Sequence, residues 1–132
     1  MSRVSVDDLT DPEGQIDPSR VAAYIEQLCA EAATDRDEFD PDQAMTYLRE
    51  GAGRAIGLYI LLRTGGRQYR FKTEEFEQLE QAMNEWLSLY AASHGIEGEI
   101  DASIRVAAEL LLETNDIVDV ADQLTGVDTT RS

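Results

Sequence analysis

Along residues 73–94 the apolar side chains Phe76, Leu79, Met83, Trp86 and Tyr90 advance in steps of three, four, three and four. Only a helix gathers such positions onto one side, because each residue turns the chain by about 100°. A chain carrying this stripe has to bury it, so the fold is organised around a helix. Thr73 stands as its cap, Glu74 and Glu75 favour its first turn, and Gly95 stops it.

The other helices are marked by their ends. Asp17 followed by Pro18, and Asp40 followed by Pro41, each offer a capping carboxylate and then a proline whose missing N–H is harmless at the first helical position. A first helix over 18–33 carries Val21, Ile25, Leu28 and Ala32, and a second over 41–64 carries Ala44, Met45, Leu48, Ala52, Ala55, Ile56 and Tyr59. Gly51, Gly53 and Gly57 each weaken that second helix by about 1 kcal/mol relative to alanine. They predict a bend near 51–53 and close approach of a neighbouring helix, and the unbroken apolarity of 55–62 predicts a buried centre. Gly65 and Gly66 read as a helix end. The rival is a hairpin pairing 58–63 with 68–72, in which Tyr69 and Phe71 alternate but 59–62 do not. Asp101 is placed to cap a fourth helix with Ile104, Ala108, Leu111 and Leu112. Asn115 or Asp116 opens a fifth with Ile117, Val120, Ala121 and Leu124 ahead of Gly126. The reading is an all-α single-domain bundle of four to five helices over 18–126, with a short hairpin or loop at 64–72. Residues 41–64 and 73–94 form its antiparallel central pair, a flexible acidic arm occupies 1–17 and a tail 127–132.

Charge is segregated along the chain. Asp and Glu supply 27 of 132 residues, yet residues 51–73 contain neither. Over 49–72, six cations (Arg49, Arg54, Arg63, Arg67, Arg70, Lys72) oppose Glu50 alone, a sum of +5 within a chain of net charge -16. The remainder therefore carries -21. Such sorting predicts a surface for an anionic group. Lys72 is the only lysine beside ten arginines. That ratio, with the excess of carboxylates, resembles the composition of proteins from halophilic archaea and implies a salt-rich cytoplasm. With one cysteine, Cys29, no intrachain disulfide forms, and the longest apolar run, 55–62, is too short for a membrane span. A cytoplasmic location without membrane association is expected.

Arg63, Arg67, Tyr69, Arg70 and Lys72 are the candidate partner-binding residues. Nucleic acid is one occupant, with the arginines on phosphates and Tyr69 or Phe71 against an unpaired base. Counterion release disfavours it at high salt, since about five phosphate contacts lose on the order of a millionfold between ~0.15 and ~3 M. Bidentate arginine–carboxylate pairs survive better. The expectation is a small non-catalytic interaction or regulatory protein of a halophilic archaeon, binding an acidic protein partner or a second copy of itself. The alternatives are a nucleic-acid-associated protein and a structural subunit of a larger assembly such as a haloarchaeal virus particle. A competing account pairs the arginines with carboxylates on neighbouring helices of the same fold.

The stripe Phe76, Leu79, Met83, Trp86 and Tyr90 is also a candidate oligomer interface, widened by Leu87 and Leu89, although one helix of any small bundle needs such a stripe for its core. No catalytic residue, cofactor or metal is expected. Cys29 lies on an apolar side and His94 at a helix C-terminus. One histidine and one cysteine provide no zinc spacing, and the carboxylates of 35–42 lack the pattern of a calcium loop. Residues 120–127 resemble the first helix and turn of a helix-turn-helix, but only five residues follow, too few for a recognition helix.

Overall fold

Asp17 starts the first helix as its spacing with Pro18 predicts, accepting from the Ser19 backbone N–H at 3.0 Å and its hydroxyl at 2.8 Å. The computed structural model describes Leu9, Pro12 and residues 16–64 and 70–127. Its five helices are α1 (Pro18–Asp37), α2 (41–64), α3 (Thr73–Ser93), α4 (Ile104–Thr114) and α5 (Ile117–Thr125), with no strand among the described residues. The all-α bundle is therefore the fold, and the helical course of α2 through residue 64 removes the hairpin that would have used 58–63 as an arm.

α1 runs a turn beyond the expected residue 33, because its acidic end is held from outside. Asp35 accepts the Trp86 indole N–H at 2.8 Å, and Arg36 pairs with Glu85 at 2.9 Å. α2 changes pitch along its length: Pro41–Gln43 is 3-10, Ala44–Thr46 is α-helical, Tyr47–Ala52 is π-helical and Gly53–Thr64 is α-helical again. The wide turn falls where the glycines predicted a bend. Gly51 is the reason it can lie there, since a Cβ at that position would stand 2.4 Å from the Trp86 ring. Gly57 behaves otherwise. It is exposed and a Cβ there would meet nothing within 4 Å, so the close approach expected at all three glycines holds at Gly51 and fails at Gly57.

α3 is the central element and packs against each of the other four helices. Gly51 meets Trp86 and Tyr59 meets Phe76, so α2 and α3 run antiparallel as expected. α1 lies alongside α3 in the parallel sense, with Cys29 donating to the Gln78 carbonyl at 3.4 Å and Asp35 reaching Trp86. α1 belongs beside α2 in the centre rather than at its margin.

Two caps differ from expectation. The N-cap of α3 is Lys72, one residue before Thr73, and its backbone N–H is accepted by the Glu75 carboxylate at 3.0 Å. The cap of α4 is Ser103, two residues after Asp101, because 100–104 is stitched to α3 by side chains of that helix. Ser88 accepts from Ile100 N at 3.1 Å, Asn84 bonds both ways with Ala102, and Glu80 accepts from Ile104 N at 3.0 Å. Asp116 caps α5 and Gly126, at φ 83°, ends it, both as expected.

Leu79, Met83, Trp86 and Tyr90 are buried inside the chain, and Phe76 is half-buried against them. Leu87 and Leu89 are buried too. The stripe and its flank are core within one chain, so those buried side chains have no face left for an oligomer seam. The flexible-arm reading needs a correction at one point: Leu9 is wholly buried and its carbonyl accepts from Asp17 N at 2.8 Å. Burying a leucine contributes about 2 kcal/mol, enough to pin the backbone there.

Candidate functional site

The five described cations of 49–72 divide into three situations. Arg54, on the second half of α2, turns inward and is only 13% exposed. Its Nη1 pairs with Glu31 of α1 at 2.8 Å and lies 3.4 Å from the Glu50 carbonyl, while the guanidinium sits 5.7 Å above the Tyr24 ring. Burial works to lower the Arg54 pKa, but Tyr24 and then Glu31 outweigh it and move it upward. Nη2 is buried without a hydrogen-bond partner, so the guanidinium is turned inward, where the Nη1–Glu31 pair holds it. For Arg54 the internal pairing account is the correct one, and its expected role on phosphate is removed. Arg49 is exposed, roughly 20 Å back along α2 from Arg63.

Arg63, Arg70 and Lys72 are gathered at the opposite end of the bundle. Arg63 ends α2 and stands 5.9 Å above the Tyr59 ring. The other two flank Phe71, whose ring stacks on the same Tyr59 at 5.8 Å and 14°, and Phe76 closes on Tyr59 edge-on at 6.0 Å. The aromatic trio thus fastens the approach to α3 onto the end of α2, and all three cations are exposed. Among the described residues none of them is in an ion pair. Phe71 has one face committed to Tyr59, which leaves it less ring to offer a nucleobase. Arg67 and Tyr69 lie outside the described residues.

A second feature was not anticipated. Beside α3, between the end of α1 and residues 99–101, runs an open groove of about 520 Å³. Glu77, Glu80, Glu85, Glu99 and Asp101 line it with Arg36, five negative charges and one positive, or -4. Its lining also includes the apolar side chains of Leu89 and Ile100. The signal in the sequence was the helical spacing of Glu77, Glu80 and Glu85. The wall built by 99–101 depends on the Ser88, Asn84 and Glu80 contacts, which pattern alone does not reveal.

Cys29 and His94 are not brought together. Cys29 packs by Gln78, while His94 follows the last turn of α3, roughly 24 Å farther along that helix, with its ring edge-on to Tyr90. Burial, followed by Glu85 and Glu26, raises the Cys29 thiol pKa and lowers its thiolate fraction. Among the described residues no three His, Cys, Asp or Glu side chains converge to hold a metal ion, and no helix is long and apolar enough to cross a membrane.

No curated protein and no solved structure matches the chain. Residues 19–129, the helical bundle almost in full, match a family described as a domain of unknown function (DUF8055), and the chain belongs to that family.

Proposed function

We propose that the protein is a non-catalytic interaction module whose basic end, Arg63, Arg70 and Lys72, binds a carboxylate-rich protein surface. One observation carries the reading: three cations are exposed, without an ion-pair partner among the described residues, on two segments joined by the stacking of Tyr59 on Phe71. Preorganisation matters because ordering a long cationic side chain costs on the order of 1–2 kcal/mol of rotamer freedom. Arg63 and the chain beside Phe71 have met part of that cost through the Tyr59 ring. Arginine then adds a planar fork that suits carboxylates, and such pairs tolerate salt better than diffuse attraction to phosphates. The arginine-rich, acidic composition extends the proposal to a salt-rich archaeal cytoplasm.

The test is direct binding of a fluorescent oligoglutamate peptide and of single-stranded DNA, each from low to molar salt, to wild type and to Arg70→Glu/Lys72→Glu. The reading expects peptide binding that persists at high salt and falls at least tenfold in the variant. DNA binding that outlasts peptide binding at molar salt would replace this reading with the nucleic-acid one.

A further inference from the structure

The basic end needs a carboxylate surface, and the chain itself carries one. From the shared chemistry of the two we infer that the partner of the basic end is a second copy of this chain, the basic end of each copy seated in the acidic groove of the other. The inference rests on the reading above and narrows it to one occupant.

Two observations support it. The charges are complementary: Arg63, Arg70 and Lys72 supply three positive charges, and the groove lining sums to -4. Within one molecule the two surfaces are offset along α3. Lys72 caps α3, the groove lining starts at Glu77, and Asn84, midway along it, follows Lys72 by twelve residues, so the helix sets the middle of the groove roughly 18 Å from Lys72. The inferred assembly is two-fold, with the α3 helices antiparallel, so that each basic end meets the other copy's groove. The contact is isologous and closes as a dimer, leaving no unmatched surface to propagate a chain.

The groove suits arginine and lysine in its shape as well as its charge. Leu89 and Ile100 give the lining apolar surface along which the methylene stems can lie, and Glu99 and Asp101 add carboxylates for the charged heads. Net charges of -16 on each copy oppose association when the Debye length is long, about 30 Å at 0.01 M salt, and lose that reach when it shrinks to about 3 Å at 1 M. Contact pairs inside a groove are screened far less. Dimerisation should therefore be stronger near 1 M than near 0.01 M salt.

The experiment is sedimentation velocity of the full chain at about 1 M salt over a hundredfold range of concentration. It uses wild type, a basic-end variant (Arg70→Glu/Lys72→Glu), a groove variant (Glu99→Lys/Asp101→Lys) and an equimolar mixture of the two variants. Circular dichroism confirms that each is folded. Wild type should dimerise, each variant alone should be monomeric with dissociation weakened more than about a hundredfold, and the mixture should recover the dimer, because in it every basic surface again faces an acidic one. Monomeric wild type, variants that dimerise as wild type does, or a mixture that stays monomeric would each overturn the inference. If wild type is monomeric but still binds the oligoglutamate peptide through Arg70 and Lys72, only the second-copy assignment fails. Loss of peptide binding as well removes the interaction reading itself.

Discussion

Arg54 and Arg63 belong to the same helix, nine residues and about 14 Å apart, and they have opposite fates. Arg54 faces α1, where Glu31 and Tyr24 enclose its guanidinium. Arg63 sits where α2 ends and stands over Tyr59 with its charge toward solvent. Both are arginines in the same acid-free stretch. The difference teaches that a run of like charge in a sequence defines a population of cations, and the helix phase and the neighbouring element decide which of them remain available.

The sharpest break of this comparison comes at the inward side of α2. Gly51→Ala should destabilise the protein by about 2–3 kcal/mol, because the added methyl enters the Trp86 ring and the overpacking exceeds the ~1 kcal/mol gained in helix preference. Urea unfolding reads this as a lower midpoint at unchanged slope. Arg54→Met comes next, with an expected loss of about 1–2 kcal/mol. It leaves Glu31, about a third exposed, without its cation and removes the contact with Tyr24. If Arg54→Met were as mild as a surface change, the enclosed half of the comparison would fail.

Gly57→Ala is expected to stabilise by about 0.5–1 kcal/mol, since alanine is the better helix former and nothing stands within 4 Å of the new methyl. A loss of stability there would reveal a contact on the outward face of α2. Arg63→Ala should change unfolding by no more than about 0.5 kcal/mol while weakening peptide binding, which separates a working cation from a structural one. The smallest effect is at the start of α1. The hydroxyl and backbone N–H of Ser19, with Arg20 nearby, hold the Asp17 carboxyl below the ordinary aspartate range. Its folded value is thus lower than its unfolded one, so the cap contributes above the unfolded value and is lost as pH falls through the folded one. An NMR titration of the Ser19 amide should follow that loss below the ordinary aspartate range, with no change near neutrality.

Helix identity was legible because it rests on local physics. Asp17 with Pro18, Asp40 with Pro41, and Gly126 act through bonds within a few residues, and the 3,4 spacing of the Leu79 to Tyr90 positions identifies a buried face before any partner is known. At two of the three places where local signals were overruled, a distant side chain was responsible. Trp86 and Glu85 extend α1 by holding Asp35 and Arg36, and Glu80 shifts the cap of α4 to Ser103, whereas Glu75 shifts the cap of α3 to Lys72 from only three residues away. The basic end was legible as composition, through Arg63, Arg70 and Lys72, whereas its anchoring on Tyr59 and the removal of Arg54 from it were not.

From the order of residues alone follow an all-helical bundle, most of the positions its helices bury, although Met45 and Leu112 from the expected stripes are exposed, and the separation of a cationic stretch from an anionic remainder, because periodicity, capping and charge are properties of neighbours along the chain. Tertiary structure decided that Arg54 is enclosed and Arg63 exposed, that Gly51 receives an indole and Gly57 nothing, and that residues 99–101 complete a groove beside α3. These outcomes depend on which residues, far apart in sequence, come within a few ångströms of each other, and contact energies act only over such distances.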